Sequence, residues 1–200
     1  MTRLVAFDLD GTLTRGRTCL ETAAEAFGFA DRMPGWQRSR TEREIAAARV
    51  EAWHHLRGRN LTPLSEIPLA PGAAEGIAAL RAAGIRTVIV SLAFAAHAEY
   101  FARQLGVDAV IATEPDRDRH VFSSTKPTLL LEHARSLGIP LERIAAVGDS
   151  PGDVPMLRAC AASCYVGADV PEGFLPSRHL PGAAIDEVAR VICEELFQER

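Results

Sequence analysis

The sequence predicts a doubly wound, Rossmann-like α/β fold, in which helices cover a parallel sheet, with a small helical cap domain inserted into it. Short apolar segments alternate with amphipathic stretches, and three of those stretches are followed by a glycine, as helices often are. The alternation breaks between residues 14 and 70, where only helical patterns occur. A chain of 200 residues is long enough for one core domain and a small insertion.

The core elements are predicted from the length and apolarity of each segment. Five short apolar segments that end at turn residues are predicted strands: residues 4–9, 85–92, 107–112, 143–148 and 163–167. Three amphipathic segments between them are predicted helices: residues 73–83, 95–105 and 128–137. Helices that connect successive strands produce a parallel sheet.

Residues 14–70 form the predicted cap domain, and residues 1–13 and 71–200 form the predicted core domain. Thr18 and Glu21 have the spacing of a capping box at the start of one cap helix, and a second helix is predicted over residues 41–56. Residues 14–60 contain nine arginines against six acidic residues. This excess is either the charge of solvated helix faces or a surface that attracts an anionic substrate.

Composition and charge exclude several classes of protein. Apolar residues make up 48% and charged residues 24% of the chain, which is typical of a globular domain. A formal net charge of -4 argues against a nucleic-acid partner, and no apolar run is long enough to span a membrane. We therefore expect a cytoplasmic monomer or homodimer. The four cysteines have neither zinc-site nor disulfide-framework spacing and are expected to be reduced.

Two pairs of aspartates follow predicted strands. Asp8 and Asp10 come at the end of the first strand, and at this spacing strand side chains point the same way. Asp149 and Asp153 follow the fourth strand, where a loop opens a helix. Each pair alone is also compatible with a turn or a helix cap. Because both lie at the sheet edge where such folds bind ligands, together they favour a Mg²⁺ site.

Lys126 differs in type from every other basic residue of the chain. It is the single lysine among 22 basic residues, the others being arginine. A lone lysine is ordinarily a solvated surface charge. In a chain that otherwise uses arginine, a requirement for the compact ammonium group is the alternative explanation.

These motifs occur in the order found in the haloacid dehalogenase superfamily of phosphatases. The residues that carry the resemblance are Asp8-Leu9-Asp10-Gly11-Thr12, Ser91, Lys126 and the run from Gly148 to Asp153. The sequence resembles this superfamily over about residues 4–167, and the position of the cap resembles its phosphoserine-phosphatase-like branch. The resemblance implies a Mg²⁺-dependent phosphatase that hydrolyses a small phosphorylated metabolite through an aspartyl-phosphate.

The resemblance also implies a role for each motif acid. Asp8 would be the nucleophile, and Asp10 would protonate the leaving oxygen and later activate water. Asp8 and Asp149 would bind Mg²⁺ through carboxylates, and Asp10 would do so through its backbone carbonyl. Asp153 would bind the ion or a water on it.

Four further residues are assigned to substrate. Ser91, the backbone N–H of Leu92 and Lys126 would hold phosphate oxygens, although a serine here is otherwise a routine turn residue. Many members of the family have glycines after this serine, whereas this chain has Leu92-Ala93. Arg17 stands where phosphoserine phosphatases have a glutamate that binds the substrate amine. An arginine there would favour an anionic group over phosphoserine, unless it is only an exposed loop residue.

Other functions use the same residues. A phosphotransferase or mutase would transfer the phosphoryl group from Asp8 to an alcohol other than water. A catalytically silent phosphate-binding module is disfavoured because Asp8, Asp10, Lys126, Asp149 and Asp153 are all present. A dehalogenase is disfavoured because it would have no use for Asp10 and the metal acids.

Overall fold

The computed structural model describes residues 2–196, and its centre is a six-stranded sheet in which every pair of neighbouring strands is parallel. The strands are β1 (Arg3–Phe7), β2 (Ile85–Phe94), β3 (Ala109–Thr113), β4 (Ile144–Gly148), β5 (Ala162–Tyr165) and β6 (Arg178–His179). Their order is β3-β2-β1-β4-β5-β6. The order reverses direction at β1, so β1 and β4 flank the position where doubly wound folds bind ligands. The predicted fold class is confirmed.

The described residues contain eight α-helices, of which seven lie between strands along the chain and the last follows β6. They are α1 (Cys19–Ala26), α2 (Met33–Trp36), α3 (Glu42–Leu56), α4 (Ala73–Ala82), α5 (Ala95–Leu105), α6 (Lys126–Ser136), α7 (Val154–Arg158) and α8 (Ile185–Val191). The predicted bounds of α5 are correct, and α6 begins two residues earlier than predicted. Lys126 is therefore its first residue.

All five predicted strands differ from the structure by one or two residues at an end, and the differences in the first two strands affect the candidate site. The first stops at Phe7 because the chain then enters a π-helical turn over Leu9–Leu13, in which Gly11 adopts a left-handed conformation with φ 92°. Asp10 thus lies in a turn and not in a strand. The second strand continues to Phe94, past the predicted end at residue 92, with an irregular register beyond Val90.

The alternation of side chains along β1 divides the core into two layers. Val5 and Phe7 pack in one apolar cluster with residues of α4, α5 and α8. Leu4 and Ala6 point to the opposite face and pack with residues of α6 and α7. All four side chains are fully buried, and burial of a residue such as Phe7 contributes about 1.5–3 kcal/mol.

The segment between β1 and α4 is helical, as predicted. Capping boxes at Thr18 and Thr41 begin α1 and α3. The chain leaves and re-enters the core through two adjacent segments, since Thr14 and Leu69 form an antiparallel bridge. The assignment of residues 14–70 to a separate cap domain stays a prediction.

Contacts between α3 and the loop that precedes α6 hold the helical segment against the core. The Arg49 guanidinium donates a 2.7 Å hydrogen bond to the carbonyl of Val121 and lies 5.0 Å from the ring centroid of Phe122. The Ser124 hydroxyl donates to the carboxylate of Glu42. The apolar cluster of the helical segment also includes the side chain of Phe94, from the end of β2.

Two further expectations concern membranes and cysteines. Among residues 2–196, no helix has both the length and the apolarity needed to cross a membrane. Cys19, Cys160, Cys164 and Cys193 are all free thiols, as predicted.

Candidate active site

Asp8 is the first residue beyond β1, at the edge where the parallel strands end. Its backbone is extended, and its N–H donates a 3.0 Å hydrogen bond to the carbonyl of Val147 in the neighbouring strand β4. The turn that follows requires Gly11, because a Cβ there would lie 2.3 Å from a carboxylate oxygen of Asp149. The tight turn therefore brings the first aspartate motif against the second.

Lys126 connects the two motifs electrostatically. Its Nζ atom lies 2.7 Å from Oδ1 of Asp8 and 2.6 Å from Oδ1 of Asp153, and the lysine side chain is 1% exposed. The start of α6 places the ammonium group there. Two charge-assisted hydrogen bonds in a buried site fix both carboxylates and leave no room for a freely rotating side chain.

Asp153 is held at its second carboxylate oxygen as well. Oδ2 accepts hydrogen bonds from the Ser150 hydroxyl at 2.8 Å and from the backbone N–H groups of Ser150 and Asp149 at 3.1 and 3.3 Å. Gly148 permits this arrangement, since a Cβ there would lie 2.5 Å from the Cβ of Asp153. Because both of its oxygens already accept hydrogen bonds, Asp153 is better placed to bind a metal-bound water than to coordinate a metal ion directly.

Asp149 is positioned by the first motif. Its Oδ1 atom accepts a 2.8 Å hydrogen bond from the Thr12 hydroxyl. Carboxylate oxygens of Asp8, Asp149 and Asp153 all lie within 4.8 Å of one another. Three carboxylates against the one ammonium of Lys126 leave two formal negative charges, which a divalent cation would neutralise. An all-oxygen donor set is the type that Mg²⁺ prefers, so these residues fit the ion.

Burial changes the ionisation of these groups. It raises the pKa of Asp8 to about 8, against the lowering effect of Lys126. It also raises the pKa of Asp149, despite the hydrogen bond from Thr12. Burial lowers the pKa of Lys126, but the attraction of Asp8 and Asp153 outweighs it, so the net shift is upward and the ammonium stays charged. Keeping Asp8 and Asp149 ionised in this buried site therefore costs free energy unless a further positive charge is present.

Asp10 contacts the start of the helical segment. Its Oδ1 atom accepts a 2.9 Å hydrogen bond from the backbone N–H of Cys19, the first residue of α1. Burial raises the pKa of Asp10. A carboxyl group that holds a proton closer to neutral pH is suited to donate it to a leaving oxygen.

Ser91 and Leu92 lie near the end of β2, which pairs with β1. Ser91 is buried, and its hydroxyl oxygen accepts a 3.2 Å hydrogen bond from the N–H of Ala93. The Leu92 carbonyl accepts one of 3.1 Å from the Thr113 hydroxyl. Within residues 2–196 the Ser91 hydroxyl acts only as an acceptor, which leaves its proton for a ligand. The assignment of both residues to phosphate binding stays a prediction.

Arg17 has a different environment. Its side chain is 64% exposed, and its guanidinium pairs with the carboxylate of Glu25. Both residues line a cavity of about 440 Å³ with Thr22 and Glu66. Its proposed contact with substrate stays a prediction, and Glu25 would offset its charge.

Three residues that were not predicted as site residues position the aspartates or the turn after Asp8: Thr12, Arg15 and Ser150. Arg15 donates to the carbonyls of Gly11 and Thr12 and, at 3.3 Å, to that of Ala183, so it fixes the turn after Asp8. Thr12 and Ser150 belong to the two recognised motifs, and that was a usable signal. Arg15 gives no comparable signal, because its acceptors are backbone carbonyls, which every residue has.

Comparison with known proteins agrees with this geometry. Residues 2–161 match the family model of the haloacid dehalogenase-like hydrolases. A phosphoserine phosphatase from Idiomarina loihiensis is 31% identical over 181 residues, which cover 82% of each chain. One from Archaeoglobus fulgidus is 29% identical over 203 residues, which cover 91% of this chain but only 59% of that relative's length.

The fold has a counterpart among solved structures. The crystal structure of a haloacid dehalogenase family hydrolase from Salmonella enterica serovar Typhi matches with a TM-score of 0.79 at 20% identity, over 96% of this chain and 72% of that one. The family model covers most of the chain, and its aspartate motifs meet at one sheet edge as the resemblance implied. The chain therefore belongs to the haloacid dehalogenase-like hydrolase family.

Proposed function

We propose that this chain is a Mg²⁺-dependent phosphomonoester phosphatase, with Asp8 as the nucleophile and a small phosphorylated metabolite as the substrate. The observation that carries the proposal is the contact of Lys126 with Asp8 and Asp153, beside the carboxylate of Asp149. The names of the relatives, which are phosphoserine phosphatases, support the same class of reaction.

Asp8 and Asp149 would hold Mg²⁺ through their carboxylates, together with the backbone carbonyl of Asp10, and Asp153 would bind a water on the ion. The bound ion supplies positive charge that offsets the repulsion between the nucleophile and an anionic phosphate. Lys126 contributes a second positive charge at Asp8 and holds its carboxylate in one orientation. Ser91 and the N–H of Leu92 would bind phosphoryl oxygens.

The reaction takes place in two displacements at phosphorus. First, a carboxylate oxygen of Asp8 forms a bond to phosphorus while the bond to the leaving oxygen breaks, and Asp10 gives its proton to that oxygen. Asp10, now ionised, then takes a proton from water as the water oxygen bonds to phosphorus. The bond to Asp8 breaks, phosphate is released and Asp10 is again protonated.

The raised pKa of Asp10 supports its part in this cycle. An ordinary carboxylic acid would be ionised at neutral pH and could not protonate the leaving group. The hydrogen bond between Asp10 and the first residue of α1 also couples the acid to the position of the helical segment. Docking of that segment would exclude bulk water during the first step.

The contacts of the helical segment favour a small substrate. Arg49 and Glu42 hold α3 against the loop before α6, and Phe94 packs into the cluster of the segment. A covered site of this kind admits a metabolite more readily than a folded macromolecule.

The test is a panel of phosphomonoesters, assayed for phosphate release with Mg²⁺ and with a chelator. We expect turnover that requires Mg²⁺, and we expect Asp8→Asn to abolish it. Asp31→Asn, the same change at an exposed position, is the matched control and should retain activity. No turnover on any ester, or full activity in Asp8→Asn, would contradict the proposal.

A further inference from the structure

The second strand bulges where two of the phosphate-binding residues are predicted. Two residue pairs between β2 and β3 flank the irregular register: Val90 with Ile111, and Phe94 with Thr113. Between these pairs β2 has residues 91–93, whereas β3 has only residue 112. Such bulges often lie beside active sites, where they redirect side chains and backbone groups. Ser91 and Leu92 both belong to this bulge.

Thr113, the last residue of β3, fixes one peptide group of the bulge. It is fully buried, and its hydroxyl donates a 3.1 Å hydrogen bond to the carbonyl of Leu92. The N–H of the same peptide group belongs to Ala93 and donates to the Ser91 hydroxyl at 3.2 Å. This peptide group is therefore held at both ends, and the Ser91 hydroxyl is held through it.

The Thr113 hydroxyl also holds the loop that leads to Lys126. It accepts a 3.2 Å hydrogen bond from the N–H of Val121. The N–H of Lys126 donates a 3.0 Å hydrogen bond to the carbonyl of Phe122, the next residue of that loop. A hydroxyl can donate one hydrogen bond while it accepts others, and Thr113 does both. One buried hydroxyl thus connects the two segments that carry Ser91 and Lys126.

The same connection reaches the helical segment. The carbonyl of Val121, whose N–H donates to Thr113, accepts the 2.7 Å hydrogen bond from Arg49 on α3. Docking of α3 therefore acts on the loop that is bonded to Thr113.

We propose that Thr113 is a positioning residue that keeps Ser91 and Leu92 at the spacing from Lys126 that a bound phosphoryl group requires. This inference rests on the proposed phosphatase function and adds to it a residue that does not touch the substrate. Without the hydroxyl, the Leu92 carbonyl and the Val121 N–H each lose a partner, and both segments shift to find others. A phosphate that contacts both segments then binds more weakly.

The test compares Thr113→Val, which keeps the size of the side chain but removes the hydroxyl, with Thr113→Ser, which keeps the hydroxyl. Each variant is assayed with Mg²⁺ on the best phosphomonoester substrate, with inorganic phosphate as a competitive inhibitor. For Thr113→Val we expect the inhibition constant of phosphate to rise, and kcat/KM to fall, by about threefold to tenfold. Thr113→Ser should stay within about twofold of the wild type in both quantities.

Thr87→Val is the matched control. Thr87 is buried near the start of β2, at the opposite end of the strand from the bulge, and its hydroxyl donates a 3.2 Å hydrogen bond to the Asp108 carboxylate. If buried threonine hydroxyls serve only to pair buried groups, both valine variants should lower the melting temperature and neither should weaken phosphate binding. We expect Thr87→Val to lower the melting temperature and to leave the inhibition constant of phosphate unchanged.

The outcomes separate this inference from the function on which it rests. A wild-type inhibition constant in Thr113→Val, or an equal rise in Thr113→Ser or Thr87→Val, would overturn the positioning role, as would turnover that phosphate does not inhibit. If Thr113→Val does not fold in a thermal melt, Thr113→Ala compared with Thr113→Ser decides, because these two differ only in the hydroxyl. Absence of turnover on every ester would refute the phosphatase function itself.

Discussion

The Lys126→Arg substitution tests whether the site requires an ammonium group or only a positive charge. The ammonium lies 2.6 and 2.7 Å from two carboxylate oxygens in a position that is 1% exposed. A guanidinium is wider, and inserting it into a packed site costs about 1–3 kcal/mol. If the transition state carries the same free-energy cost, kcat/KM falls by about fivefold to 150-fold. Lys126→Met should be more destabilising, about 3–5 kcal/mol, because it removes the partner of two buried carboxylates.

The assay combines steady-state hydrolysis of a phosphomonoester at saturating Mg²⁺ with thermal unfolding of the same samples. Arg43→Lys makes the opposite exchange at an exposed position and is the matched control. If Lys126→Arg keeps both wild-type kcat/KM and wild-type stability, the size of the ammonium has no importance here. The solitary lysine would then be an accident of composition.

Three further predictions concern the metal, the turn and the helical segment. Without metal, Asp8 should make the free energy of unfolding fall as pH rises from about 4 to 8, by at most about 1.4 kcal/mol per unit relative to Asp8→Asn, because Asp8 is protonated when folded and ionised when unfolded. Thermal unfolding at several pH values should show this slope with a chelator and lose it with excess Mg²⁺. Gly11→Ala should lower stability by about 1–3 kcal/mol and weaken Mg²⁺ binding in calorimetry, because its Cβ would meet the Asp149 carboxylate. Arg49→Met should increase amide hydrogen exchange in α3 by about fivefold to tenfold, because it removes the hydrogen bond to Val121.

Matched variants separate these effects from general damage. Gly28 also has a left-handed backbone, but a Cβ there would have nothing within 4 Å, so Gly28→Ala should leave Mg²⁺ binding intact. Equal loss of Mg²⁺ affinity in both glycine variants would contradict the predicted clash. For Arg49→Met, the control is Arg43→Met on the same helix. A metal-free wild type whose stability does not fall with pH relative to Asp8→Asn would contradict the ionisation argument.

The parts of the fold set by local patterns could be predicted from the sequence. Each of the five predicted strands exists, and α5 has the predicted ends because Gly106 terminates it in a left-handed conformation. By contrast, β6 has only two residues, both exposed, and so gives no apolar signal. α8 carries buried apolar residues at helical spacing, including Ile185, Val188 and Ala189, so a periodicity search of that segment could have found it.

The site was predictable to the extent that it lies in motifs. The order of the motifs indicated that Asp8, Asp149, Asp153 and Lys126 would meet, and they do. No local pattern could show that Asp153 uses both oxygens within the protein. Such contacts depend on how distant segments pack.

The same limit applies to contacts of the helical segment. The bond from Arg49 to the Val121 carbonyl joins residues 72 positions apart and involves a backbone acceptor that every residue has. Arg17, singled out by its position after the nucleophile, pairs with Glu25 nearby. Spacing along the chain identified the residue but not the neighbour that offsets its charge.

The central claim, that Asp8 carries the phosphoryl group, is tested most directly by trapping it. Enzyme quenched with acid during turnover of a phosphomonoester with Mg²⁺ is digested and examined by mass spectrometry. The account predicts one phosphoryl group on Asp8 of the peptide that contains it, and none in Asp8→Asn. A phosphoryl group on another residue, or rapid turnover with Asp8 never modified, would contradict it.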